Sequence, residues 1–130
     1  MKRKIYTQLV EWKNQEHHKP LILNGVRQCG KTYILKEFGL NEYVLQQLLA
    51  SGINHIYYYS SDTSRMEMDF LVQRNGAILP IEVKGGTSIK ATSLHNYLME
   101  HPDISAIRYS MLPYRQQENI TNMPLYGVFL

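Results

Sequence analysis

Two stretches carry residues whose types and spacing can do chemistry. In "MEMDFLVQRNGAILPIEVKGG", residues 66–86, Asn75-Gly76 separates two runs of alternating polarity. That dipeptide favours a two-residue type I′ hairpin, because both turn positions take positive φ. Such a loop fixes the register: Arg74 faces Ala77, Phe70 faces Ile81, Asp69 faces Glu82 and Glu67 faces Lys84. Side chains alternate along a strand. Met68, Phe70, Val72, Leu79, Ile81 and Val83 therefore form a core face, and Glu67, Asp69, Glu82 and Lys84 share the opposite one. The carboxylates of Asp69 and Glu82 then stand on Cβ atoms about 4.5–5.5 Å apart. Adjacent like charges raise a pKa, so at least one acid should be hard to ionise without a cation. Mg²⁺ resolves the conflict, since one or two carboxylates, water and a substrate phosphate satisfy it. Lys84, on the same face, can orient an attacking water or stabilise developing charge. Asp69, Glu82 and Lys84 are thus the candidate catalytic residues of a metal-dependent phosphodiesterase, with Asp69 and Glu82 as metal ligands. The plainer reading is a solvated face on which Glu67 pairs with Lys84, and Arg65 or Lys84 offsets the two acids.

The second stretch, "GVRQCGKT" (residues 25–32), fits the phosphate-loop pattern G-x-x-x-x-G-K-[ST] without a mismatch. Gly25 and Gly30 let the backbone curl its N–H groups toward phosphate oxygens. Lys31 would reach the terminal phosphates, and the Thr32 hydroxyl would take a Mg²⁺ position. Hydrolysis also needs an apolar strand ending in an acid. "HIYYYSSD" comes nearest, yet its Asp62 lies beyond two serines. No arginine-finger context is visible. The expectation is weak ATP or ADP binding at most, without multiple turnover.

Other candidates carry less. His17, His18, His55, His95 and His101 show no metal-ligand spacing. The tyrosines of "IYYYS" suit strand packing better than base stacking, and Cys29 has no base beside it.

Elements must position these groups. Ile5, Leu9 and Trp12 predict an amphipathic helix over 3–15, and "LILN" (21–24) reads as a short buried strand. "KTYILKEF" is helical with Gly39 as its C-cap. Asn41 caps a second helix, "EYVLQQLLASG", that Gly52 ends. Strands are expected at 55–60, 67–73, 78–84 and 105–111, a helix over 91–101, a polar loop over 113–122 and a terminal strand over 125–129. The expected class is α/β, a mixed sheet flanked by helices, with the N-terminal strand–loop–helix either packed on that core or hanging loosely from it.

Bulk properties bound the rest. At 130 residues the chain has room for one real core. A formal charge of +3 suits phosphate-bearing partners, nucleotide or nucleic acid, without requiring them. The single cysteine excludes an internal disulfide and fits a reducing cytosol. The basic start has no apolar stretch behind it, and no run approaches a membrane span, so a cytoplasmic protein without membrane contact is expected.

Taken together, the glycine-loop segment "KRKIYTQLVEWKNQEHHKPLILNGVRQCGKTYILKEFG" and the later "NEYVLQQLLASG", "EMDFLVQ" and "LPIEVKGGTSIKATSLHNYL" resemble one family: prokaryotic AAA-type ATPases with a C-terminal restriction-endonuclease-like domain. The resemblance implies a truncated ATPase segment over 1–39 and a nuclease-like domain over 40–130. It places Gly25, Gly30, Lys31 and Thr32 on the nucleotide loop. Asp69, Glu82 and Lys84 fall on the nuclease-like motif, and Glu42 on an acidic position of that fold's first helix, as a third metal ligand. In the family a full ATPase core separates the two pieces; here they join near Gly39–Asn41, as in an internally deleted remnant. The functional classes are a nucleic-acid-directed nuclease-like module, a weak nucleotide binder, and a non-enzymatic interaction domain.

Overall fold

The computed structural model describes residues 4–17, 19–61, 66–86 and 90–128. Helix α1 (Lys4–Lys13) buries Tyr6 and Leu9, one helical turn apart. They pack on Ile34 and Phe38, the Tyr6 ring meeting Phe38 edge-on at 5.6 Å. The N-terminal segment is therefore docked, not loose. The Trp12 indole N–H donates to the Lys19 carbonyl at 2.7 Å and draws the chain back along the helix.

The expected strand at 21–24 is absent. Leu21 and Ile22 are exposed and only Leu23 reaches the α1 cluster. A strand needs a neighbour for its backbone groups, and among the described residues no strand pairs with this one.

Helix α2 (Lys31–Ala50) runs unbroken through Gly39–Asn41, where two helices were expected to meet. Helix formers flank Gly39 on both sides, and an interior glycine costs only about 1 kcal/mol. Asn41 is not a cap but a buried member of the stripe Ile34, Asn41, Val44 and Leu48. The helix ends as read: Gly52 has φ 84°, its N–H bonds to Leu49 O, and Ile53 N–H bonds to Leu48 O, a Schellman closure.

Six strands form one mixed sheet: β1 (Ile56–Ser60), β2 (Glu67–Arg74), β3 (Ala77–Lys84), β4 (Ala106–Ser110), β5 (Arg115–Gln117) and β6 (Ile120–Pro124), in the order β1-β2-β3-β4-β6-β5. The pairs β1–β2, β2–β3 and β5–β6 are antiparallel; β3–β4 and β4–β6 are parallel. Helix α3 (Thr92–Glu100) bridges β3 to β4. The α/β class with a helix-flanked mixed sheet stands. The stretch expected as a polar loop instead forms the β5–β6 edge, turning at Glu118 with φ 51°. The expected terminal strand is a 3₁₀ turn, Leu125–Gly127.

Each sheet face has its own core. Phe70, Val72, Ile81, Val83 and Tyr109 pack on Val44 and Leu48 of α2. Met68 and Ala106 pack on Leu94, Tyr97 and Leu98 of α3. Among the described residues no helix is long and apolar enough to cross a membrane.

Candidate functional site

The hairpin takes the predicted register from Arg74↔Ala77 to Phe70↔Ile81. Asn75 and Gly76 turn with φ 52° and 78°, as a type I′ loop requires. Past that point β2 departs from simple alternation. Against β1, Tyr57 faces Leu71 but Tyr59 faces Met68, so Asp69 and Phe70 together oppose Tyr58. That is a β-bulge, which re-aims side chains. Met68 consequently joins the α3 core and not the Phe70 face, which corrects the expected grouping.

The bulge turns Asp69 into the gap where β2 and β3 separate. Its Oδ2 accepts the Val83 N–H at 2.9 Å, replacing a ladder bond, and Oδ1 accepts from Asn41 Nδ2 at 3.4 Å. The Asn41 amide also donates to the Tyr6 hydroxyl at 3.0 Å. Helices α1 and α2 therefore grip the carboxylate through one buried amide.

Asp69, Glu82 and Lys84 line one cavity of about 410 Å³, together with Glu37, Glu67 and Tyr33. Lys84 Nζ donates to Glu82 Oε1 at 2.7 Å, so its ion pair is with Glu82 and not with Glu67. Glu82 is buried, and its Oε2 has no hydrogen-bond partner among the described residues. Burial raises the Glu82 pKa above its ordinary value; Lys84 opposes the shift, Asp69 adds to it, and Arg108 opposes it. An acid hard to ionise was expected from like-charge repulsion; burial is the larger cause. Burial alone would lower the Lys84 pKa, but the bond and charge of Glu82, joined by Asp69, hold it above the ordinary value. Lys84 is thus a cation at neutral pH and not a base.

Behind Glu82, a polar row crosses the sheet in register: Glu82 on β3, Arg108 on β4 and Asn122 on β6. Arg108 is buried, and its Nε donates to Asn122 Oδ1 at 3.2 Å. Asn122 is fixed by Ser110 Oγ at 2.7 Å and by donation to the Leu112 and Pro113 carbonyls.

Glu42 does not join the site. It pairs with Lys13 of α1. Glu37, four residues before Asn41 on α2, occupies the cavity wall instead. Among the described residues no three His, Cys, Asp or Glu side chains are grouped to hold a metal. The three-carboxylate set is therefore reduced to Asp69 and Glu82. Two acids, one with an orphaned buried oxygen, still fit a hard divalent ion that keeps most of its waters.

The glycine loop lies elsewhere. Gln28 and Gly30 adopt left-handed φ of 60° and 85°, and α2 begins at Lys31 without a side-chain cap. The Lys31 ammonium donates to the carbonyls of Gly25 and Val26 at 2.8 and 2.7 Å, so it closes on its own loop. Thr32 is exposed. Asp62 and Arg65, which entered the sequence argument, lie outside the described residues.

Sequence reasoning missed Glu37, Asn41, Tyr33 and Tyr6. Tyr33, Glu37 and Asn41 recur every four residues, a signal concealed by ending the helix at Gly39.

A family model described as a domain of unknown function, DUF4143, matches residues 38–126. No curated protein and no solved structure matched the chain.

Proposed function

The chain belongs to the DUF4143 family, and on that premise we propose that it is a phosphodiester-directed, nuclease-like module, the remnant of a phosphate-loop ATPase that has lost ATP hydrolysis. The observation that carries this reading is Glu82 Oε2, a buried carboxylate oxygen without a partner among the described residues, in the cavity that Asp69 and Lys84 line. Burying a polar atom unsatisfied costs about 1–3 kcal/mol, more when charged. A cation removes that penalty. Asp69 and Glu82 would hold Mg²⁺, which would polarise a phosphodiester and supply a nucleophilic water. Lys84 balances the charge of Glu82 and presents an ammonium to the phosphate. Asn41 and the Val83 N–H fix the Asp69 oxygens, so little reorganisation is needed on binding.

Cleavage of a labelled oligonucleotide in Mg²⁺ or Mn²⁺ tests the reading. Activity should vanish in Asp69→Asn and Lys84→Ala, with metal binding lost in the first and kept in the second. Metal binding without cleavage in the native chain would favour a non-enzymatic interaction domain.

A second reading rests on the loop. Its two left-handed residues and the Lys31 ammonium suit an anion, which supports nucleotide binding. That ammonium must first leave the Gly25 and Val26 carbonyls, so affinity for ATP should be weak.

A further inference from the structure

A second cavity, of about 370 Å³, opens beside the carboxylate site and shares Tyr33, Glu37, Val83 and Lys84 with it. Its remaining wall differs in chemistry. Lys36 on α2 and Lys90, before α3, bring two more ammonium groups to it, against the single acid Glu37. Among the described residues neither Lys36 nor Lys90 has an ion-pair partner. Gly85 and Gly86 form the corner between them, where the backbone comes close to α2. A Cβ added at Gly85 would lie 2.5 Å from Leu40 Cδ1, so any larger residue must push the Leu40 side-chain tip aside. Tyr33 is 63% exposed and stands where the two cavities meet.

Cations around a bare glycine corner suit a phosphate, and an exposed aromatic ring beside them suits a base. The cavity is compact, with one ring, which fits one nucleotide of a flexible strand better than a stiff duplex needing a long groove. We infer that this lysine-rimmed cavity seats the neighbouring phosphate of a single-stranded nucleic acid, with a base stacked on Tyr33, while the scissile phosphate lies at Asp69, Glu82 and Lys84. The inference rests on the phosphodiester-directed reading above for the scissile position only. The phosphate and base contacts are made by Lys36, Lys90 and Tyr33, which bind no metal.

The test is fluorescence anisotropy with a labelled oligothymidylate in EDTA, over a range of salt, with a duplex as the second ligand. All three side chains are exposed, so the variants should fold. Lys36→Ala with Lys90→Ala should weaken binding of the single strand and reduce the log–log salt slope by about 0.7, the value for the one phosphate they share. Tyr33→Ala should weaken it roughly tenfold, and Tyr33→Phe should restore it, because the ring face does the stacking. Calorimetry with Mn²⁺ should be unchanged in all of these. A native slope in the lysine variant, a duplex bound as tightly as the single strand, or no binding by the native chain in EDTA would overturn the inference. Loss of Mn²⁺ binding by the native chain alone would overturn only the carboxylate reading.

Discussion

Glu82→Gln separates the cost of a buried charge from the shape of the residue that carries it. Glu82 is 6% exposed, and removing a carboxylate from water costs several kcal/mol in a real protein. Lys84, at 2.7 Å, offsets part of that, Asp69 adds to it, and Arg108 offsets a little more. The raised pKa of Glu82 shows that the balance still disfavours the charge. Glutamine keeps the packing and gives up the Lys84 ion pair, worth about 0.5–1 kcal/mol for a side chain that is one-third exposed. The metal-free variant should be more stable than the native chain by about 1 kcal/mol at neutral pH, or roughly 3–5 °C in Tm at this size. A raised native pKa means that the folded chain binds this proton more tightly than the unfolded chain does. Stability therefore falls as pH rises from the ordinary glutamate range through the raised value. The substitution deletes that fall, so its advantage should be absent near pH ~4 and larger at pH ~7. Urea titrations followed by circular dichroism at both pH values give the difference, and the other carboxylates cancel in it. An advantage that is constant, or that shrinks as pH rises, would refute the charge-burial argument.

Arg108→Met should cost about 1 kcal/mol, since it removes the Nε–H donor to Asn122 Oδ1 and a small attraction to Glu82. Combining it with Glu82→Gln should recover part of the loss in a double-mutant cycle. Gly85→Ala should destabilise by about 1 kcal/mol through the Leu40 tip, and by less in a Leu40→Ala background, as thermal melts would show. Lys31→Ala loses exposed hydrogen bonds to Gly25, Val26 and the Cys29 sulfur and should cost no more than about 1 kcal/mol, while abolishing any ATP binding seen by calorimetry.

The hairpin was legible because Asn75-Gly76 is a local signal and two-residue loops leave one register. The bulge at Asp69–Phe70 was not, because Met68 is apolar and its residue type does not distinguish one core face from the other. Hence the sequence reading grouped Asp69, Glu82 and Lys84 but could not say how Asp69 is aimed. Gly39 misled for a different reason. Its local preference to end a helix is small, and it is outweighed by the burial of Ile34, Val44 and Leu48 along one continuous stripe. Reading two helices there drew attention to Glu42 and away from Glu37 and Asn41. The β5–β6 edge escaped because all three residues of β5 are exposed, so neither apolar content nor alternation marks it. The phosphate-loop pattern is intact, but "LILN" does not form a strand once it has no sheet to join. A motif of eight residues does not carry its own support.

Titration calorimetry with Mn²⁺ on the native chain, Asp69→Asn and Glu82→Gln tests most directly whether the paired carboxylates form a cation site. The native chain should bind one ion at millimolar metal or below, with a matching rise in Tm by mass action. Both variants should lose that binding while circular dichroism shows an intact fold. No binding by a folded native chain at millimolar metal, or equal binding by all three proteins, would contradict the assignment of Asp69 and Glu82 as a metal site.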